Sequence, residues 1–194
     1  MSRYVAIDFE TADHGADSAC AVGLALVDGG RVTDTAYHLI RPPRRRFAFT
    51  YIHGLTWDDV ADAPTFAELW PRIADFLARG QAFAAHNASF DRTVLRACCA
   101  AAGVAIPRKP FVCTVRLARA AWNVRPTRLP DVCRHLAIAL DHHNAASDAR
   151  ACAEILAAAL RDAADRPPGP DDPVGASIAA ILRPRSVRLA PALR

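Results

Sequence analysis

The sequence predicts an α/β domain: one mixed sheet with an antiparallel hairpin, flanked by helices. Three observations carry this. Strand-like runs come first and helical periods dominate later. Asp28-Gly29-Gly30 separates two apolar runs as a tight hairpin turn does. A helical period then intervenes before a further apolar run, as a parallel crossover requires.

Taken in order, residues 3–9 (RYVAIDF) form a short run rich in β-formers, the pattern of a buried strand. Residues 19–40 read as the two hairpin strands. Residues 41–55 hold two prolines and four arginines and are expected to be an irregular loop. Residues 65–79 carry a helical period through Phe66, Leu69, Ile73, Phe76 and Leu77, stopped by Gly80. Pro71 inside that period should kink the helix or begin a second one. Residues 81–86 (QAFAAH) read as a short strand, and a helix from about 89 to 102 ends at Gly103. Shorter helices fit 114–122 and 129–139, and the last clear helix runs from about 146 to 163. From residue 166 the chain changes character, with six of its fourteen prolines. Residues 1–165 are therefore expected to form the domain and 166–194 a Pro/Arg-rich tail or linker, with one short helix over 175–182.

The chain has 194 residues, 52% hydrophobic and 23% charged, which suits one domain with a real core. No apolar run is long enough to cross a membrane. The strand pattern starts at once, with no basic leader or cleavage site, so a cytoplasmic location is expected. Six cysteines show no C-x-x-C pair and read as small buried hydrophobes. The net charge is +4, and 23 of the 24 basic residues are arginine. That balance permits a polyanionic partner without demonstrating one.

The candidate chemistry lies in three short stretches. In VAIDFE the strand period puts Val5, Ile7 and Phe9 on one face and Asp8 and Glu10 on the other, near the strand's end. A polar strand end would read the same way, but two more acids bear on it. Asp91 shares a helix face with Val94, Leu95 and Cys98, and Asp148 heads the stripe Cys152, Ile155, Leu156, Ala159, Leu160. The helix dipole favours an acid in a first turn, yet it does not explain why both acids fall on the core face. A shared cation does, because buried unpartnered carboxylates are costly. Four carboxylates suit two Mg²⁺ or Mn²⁺ ions, the arrangement that stabilises in-line phosphoryl displacement. Such a reaction needs a base for water. His143, five residues before Asp148, is the candidate, and neighbouring His142 is expected to point elsewhere.

In order and spacing, these stretches resemble the DEDDh 3′–5′ exonucleases, the family of the proofreading epsilon subunit of bacterial DNA polymerase III. Asp8-Phe9-Glu10-Thr11 matches its D-x-E-T motif, HNASFD (86–91) its second motif, and residues 143–148 its H-x-A-x-x-D motif. YIHGLT (51–56) resembles the segment between the first two motifs, and CTVRLAR (113–119) the T-x-x-L-A-R helix. The resemblance covers roughly residues 3–160. It implies a ribonuclease-H-like fold, two divalent cations, and release of nucleoside 5′-monophosphates from the 3′ end of single-stranded nucleic acid, DNA before RNA. It implies that Asp8, Glu10, Asp91 and Asp148 are the metal ligands and His143 the base. Phe9, Thr11, His53 and Phe90 are the implied substrate contacts, although His53 reads equally as a loop histidine bonded to backbone. The tail could meet a DNA polymerase or another protein. Asn144 stands where close relatives often carry Asp. Arg44-Arg45-Arg46 belongs to no motif and reads either as a phosphate contact or as a solvated loop. The alternatives are an RNA-directed exonuclease of the same family and an inert binding or polymerase-partner module.

Overall fold

The computed structural model describes residues 2–165 together with Ala179, Ala180 and Leu182. The tail set apart in the sequence therefore lies outside the described residues, apart from those three, which are helical. Strands β1 (Arg3–Thr11), β2 (Ala19–Asp28) and β3 (Arg31–Leu39) form an antiparallel meander. β4 (Ala82–Ala85) and β5 (Phe111–Cys113) add in parallel on the other side, giving the order β3-β2-β1-β4-β5. β5, three residues long, is too short to show a period and was not predicted from the sequence. Among the described residues no helix is long and apolar enough to cross a membrane.

Two helical turns, α1 (Thr50–His53) and α2 (Trp57–Val60), fall in and just beyond the segment expected to be an irregular loop. α3 (Phe66–Ala78) buries all five residues of the predicted stripe. It neither breaks nor restarts at Pro71: the helix is continuous around it. Pro71 removes one early backbone bond, while Thr65 and Glu68 cap the N-terminus reciprocally and the buried stripe spans the proline. α4 (Ser89–Ala101), α5 (Thr114–Trp122), α6 (Leu129–Leu136) and α7 (Ala145–Asp165) complete the chain order.

Alternation along β1 sorts the two cores. Val5, Ile7 and Phe9 pack under α3 and α4. Tyr4 and Ala6 face the opposite way, against α5 and α7. Asp8 and Glu10 continue that second face towards the strand's end. Five cysteines are buried, Cys113 is half-buried, and all six are free thiols. They are apolar fillers, as their spacing suggests.

α7 reaches this face because of one residue. Gly23 of β2 is the register partner of Asp8. A Cβ built at Gly23 would overlap the Ala145 carbonyl and come within 2.9 Å of the Ala146 nitrogen. The missing side chain lets the first turn of α7 rest on the sheet next to Asp8, the close backbone approach that a mid-strand glycine marks. Gly23→Ala must lift that turn. It should cost about 1–3 kcal/mol, the range for overpacking a tight core, and lower Tm by several degrees in a thermal melt. A variant as stable as the wild type would show that α7 docks by other means.

Candidate active site

The site forms where parallel neighbours stop pairing. β4 pairs with β1 only from Tyr4 to Ala6, so the β1 edge beyond is free on that side. Asp91 takes up one of those free donors: its Oδ1 accepts the Phe9 main-chain N–H at 3.1 Å. β4 leads through Asn87, in the left-handed region at φ 68°, directly into α4, whose first turn carries Asp91. The carboxyl ends of parallel strands, at the point where connections leave in opposite directions, are where α/β sheets open a crevice.

Asp148 enters from the other side, in the first turn of α7. Asn144 caps this helix: its Oδ1 accepts the N–H of Ala146 at 3.1 Å and of Ser147 at 3.4 Å. That cap explains how Asn serves at the position where Asp is common. Asp8, Glu10 and Asp148 each offer a carboxylate oxygen within 4.8 Å of the others. Asp91 and Asp148 are 1% and 4% exposed, while Asp8 and Glu10 are half-buried. All four predicted acids thus meet at one end of the sheet.

Their protonation equilibria report the crowding. Burial, then the charges of Asp91, Asp148 and Glu10, raises Asp8 well above the ordinary carboxylate range. Burial, then Asp148 and Asp91, pushes Glu10 up to about 8. Asp91 and Asp148 are also raised, chiefly by burial. Asp148 Oδ1 is, among the described residues, the one buried side-chain oxygen with no hydrogen-bond partner. An all-oxygen donor set, mutually repelling and with an orphaned oxygen, fits hard divalent cations such as those that DEDDh exonucleases generally use.

The histidines differ from expectation in one respect. His142 does not point elsewhere: its ring stacks on His143 with centroids 3.8 Å apart, and its Nδ1 lies 3.1 Å from Asp148 Oδ2. The chain turns sharply at His143 (φ 69°), which brings the two rings to one side. The His143 ring offers a nitrogen within 4.8 Å of both His142 and Asp148. Burial, then His142, lowers its pKa, so it is neutral near pH 7 and able to accept a proton.

The implied substrate contacts divide. The Phe9 ring is 3% exposed within the core, where the strand period turns it away from the acids, so any contact from this residue would be through its main chain. Thr11 is buried, and its carbonyl is 3.2 Å from His53 Nε2. His53 Nδ1 accepts the Leu55 N–H at 3.1 Å, so Nε2 carries the proton and donates it to Thr11. Both ring nitrogens of His53 are thus bonded to backbone, and the ring ties α1 to the end of β1. Phe90, one residue before Asp91, is exposed, as are Tyr51 and Ile52 of α1. Of the arginine run, Arg44 is pinned by Asp13 and Asp17 at 2.9 and 2.6 Å, and Arg45 lies over the Trp57 ring. Sequence reasoning missed His142 and Gly23. The signal for Gly23 was available, as a glycine in the middle of an apolar strand.

Comparison with known proteins gives the family and the fold. The exonuclease family model RNase_T matches residues 5–156. The PolC-type DNA polymerase III of Thermotoga maritima is 29% identical over 159 residues, 80% of this chain and 12% of the polymerase. The chain therefore spans only a small part of that relative. Exonuclease X, solved in complex with 5′ overhanging duplex DNA, superposes with a TM-score of 0.69 at 22% identity, covering 92% of this chain and 98% of the other. The nuclease domain of 3′hExo, a DEDDh family member bound to rAMP, gives 0.71 at 19% identity over 83% and 92%. The fold is ribonuclease-H-like.

The raised acids make a testable stability signature. They hold protons more tightly folded than unfolded, so without metal they cost stability as pH rises from the ordinary range near 4.5 towards about 8, the value for Glu10. Asp8→Asn removes one charge from the cluster. In EDTA its Tm should exceed that of the wild type, by about 2–4 °C for each kcal/mol of repulsion relieved. The gap should widen from pH 5 to pH 8. A gap that closes as pH rises would contradict the electrostatic account.

Proposed function

The chain belongs to the DEDDh exonuclease family, and on that premise we propose that it is a metal-dependent 3′–5′ exonuclease of single-stranded nucleic acid, DNA before RNA. The observation that carries the proposal is the convergence of Asp8, Glu10, Asp91 and Asp148 with the ring of His143 at one end of β1. The preference for DNA is supported by the DNA polymerase III relatives. On this reading residues 1–165 are the nuclease domain, and residues 166–194 are the segment available to a polymerase or other protein partner.

Asp8, Glu10, Asp91 and Asp148 would hold two Mg²⁺ or Mn²⁺ ions. When bound, these supply Lewis-acid stabilisation of phosphoryl oxygens and lower the pKa of water. The remaining work belongs to the chain. His143 takes the proton from the water whose oxygen attacks the terminal phosphorus. The P–O3′ bond breaks, leaving a nucleoside 5′-monophosphate and a strand one residue shorter, whose 3′-oxygen is protonated from solvent. Asp91 holds the end of β1 through the Phe9 N–H, and His53 holds it through Thr11. Together they keep Asp8 and Glu10 in place while substrate enters. The exposed Phe90 ring, one residue before Asp91, would stack on a base.

The test is degradation of matched 5′-labelled single-stranded DNA and RNA in Mg²⁺, Mn²⁺ or EDTA. A ladder of one-nucleotide steps is expected on DNA with metal and none with EDTA. Asp8→Ala should abolish it, and His143→Ala should lower kcat by about 10²–10⁴-fold, the usual contribution of a positioned base, with both variants folded. A ladder on RNA alone would keep the mechanism and move the substrate. No ladder on either would favour the inert module. Phe90→Ala should raise KM with kcat little changed, since stacking contributes about 1–3 kcal/mol per base. An unchanged KM would remove Phe90 from the substrate site.

A further inference from the structure

We infer that His142 is a positioning residue: its ring fixes the Asp148 carboxylate so that one oxygen is held by the protein and the other is left for a cation. The inference rests on the metal-dependent nuclease reading of the site and goes beyond it by assigning a role to a residue outside the ligand set.

The two carboxylate oxygens of Asp148 are treated unequally. Oδ2 receives the His143 main-chain N–H at 3.1 Å and faces His142 Nδ1 at 3.1 Å. Oδ1 receives nothing, although it is buried. The terminal torsion of an aspartate is broad and nearly two-fold, so one donor alone leaves the group free to swing. Two donors on the same oxygen, from adjacent residues of one turn, do not. That turn needs His143 in the left-handed region at φ 69°, a conformation unfavourable for a non-glycine residue. The strain is repaid by placing both donors on one side of the carboxylate.

A rival use of the same atoms is a separate cation site. His142, His143 and Asp148 each offer an atom within 4.8 Å of the others, and two imidazoles with a carboxylate would suit a borderline-soft ion. The ring geometry argues against it. The rings are stacked at an interplanar angle of 23°, and imidazole lone pairs lie in the ring plane, so the two nitrogens aim side by side rather than at one point. The bond to a carboxylate also requires Nδ1 of His142 to carry its proton, which makes that atom a donor and not a ligand. What remains is orientation of a ligand from outside the ligand set, whose loss typically costs about 10–100-fold in metal affinity or activity.

Two substitutions in the full chain separate the donor from the ring. His142→Asn keeps an N–H near the place of Nδ1 and loses the stack. His142→Phe keeps an aromatic ring against His143 and loses the donor. Mn²⁺ binding without nucleic acid, by calorimetry or by loss of the free-ion paramagnetic signal, is the primary readout. Metal-free melting curves confirm folding. His142→Phe should weaken Mn²⁺ binding by about 10–100-fold, while His142→Asn stays near wild type. His142→Phe should also recover turnover as Mn²⁺ is raised. Equal Mn²⁺ affinity in His142→Phe and wild type, or equal weakening in both variants, would overturn the inference. A wild-type chain that binds Mn²⁺ and degrades DNA while His142→Phe is unaffected sinks this inference alone. A wild type that does neither removes the nuclease reading and this inference with it.

Discussion

Repulsion among four carboxylates is the constraint on which this structure turns. Asp8, Glu10, Asp91 and Asp148 are brought together where burial disfavours their charged forms, and the neighbouring acids raise Asp8, Glu10 and Asp91 further. A chain that only maximised stability would separate them. Each acid is instead delivered by a rigid element. Asp8 and Glu10 lie on a strand paired along its whole length with β2. Asp91 and Asp148 lie in the first turns of two helices, where the dipole partly offsets their charge. The backbone is used twice more. The Phe9 N–H meets Asp91, and the His143 N–H meets Asp148, so the two buried acids are anchored without neutralising the cluster.

Close packing makes this delivery possible. The buried face of α7 is largely alanine, from Ala145 through Ala149, Ala153 and Ala157, and Gly23 opposes its first turn. Small residues on both sides let the helix axis come near the sheet, so a short aspartate in that first turn reaches the acids of β1. A longer side chain reaching from farther away would lose more rotamer freedom on being fixed. The shortness of β4 matters for the same reason. Had β4 continued to pair with β1 past Ala6, the Phe9 N–H would have bonded a strand carbonyl and Asp91 would have lost its anchor.

Most of this was legible because it depends on period and local chemistry. The hairpin at Asp28-Gly29-Gly30, the stripe of α3 and the core-facing Asp91 and Asp148 all follow from spacing along the chain. The misses share a different cause. β5 is only three residues, so no period can show, and it exists because β4 offers it an edge. Pro71 was expected to kink α3 or begin a second helix; no second helix begins there, because a reciprocal cap before it and a buried stripe across it outweigh one lost bond. The direction of the His142 ring depends on a single left-handed residue, and nothing in HHNAASD announces that φ. The burial of the Phe9 ring was implied by the strand alternation itself.

Net charge proves a weak guide to how a polyanion would meet this surface. The chain carries +4, yet Arg3, Arg41, Arg44, Arg79, Arg128, Arg134 and Arg150 already have a carboxylate within ion-pair reach. Arg44, the most engaged of them, holds Asp13 down at about 2 and staples the turn after β1. Freeing it for a phosphate would mean breaking that staple. Close to the acids, the carboxylates in their ionised forms repel a phosphodiester. In the proposed reaction, one compensation serves two ends: the cations that relieve the repulsion among the four acids also make the cleft acceptable to a negatively charged strand. Site assembly and substrate approach then depend on the same charge, so metal should govern KM as well as kcat.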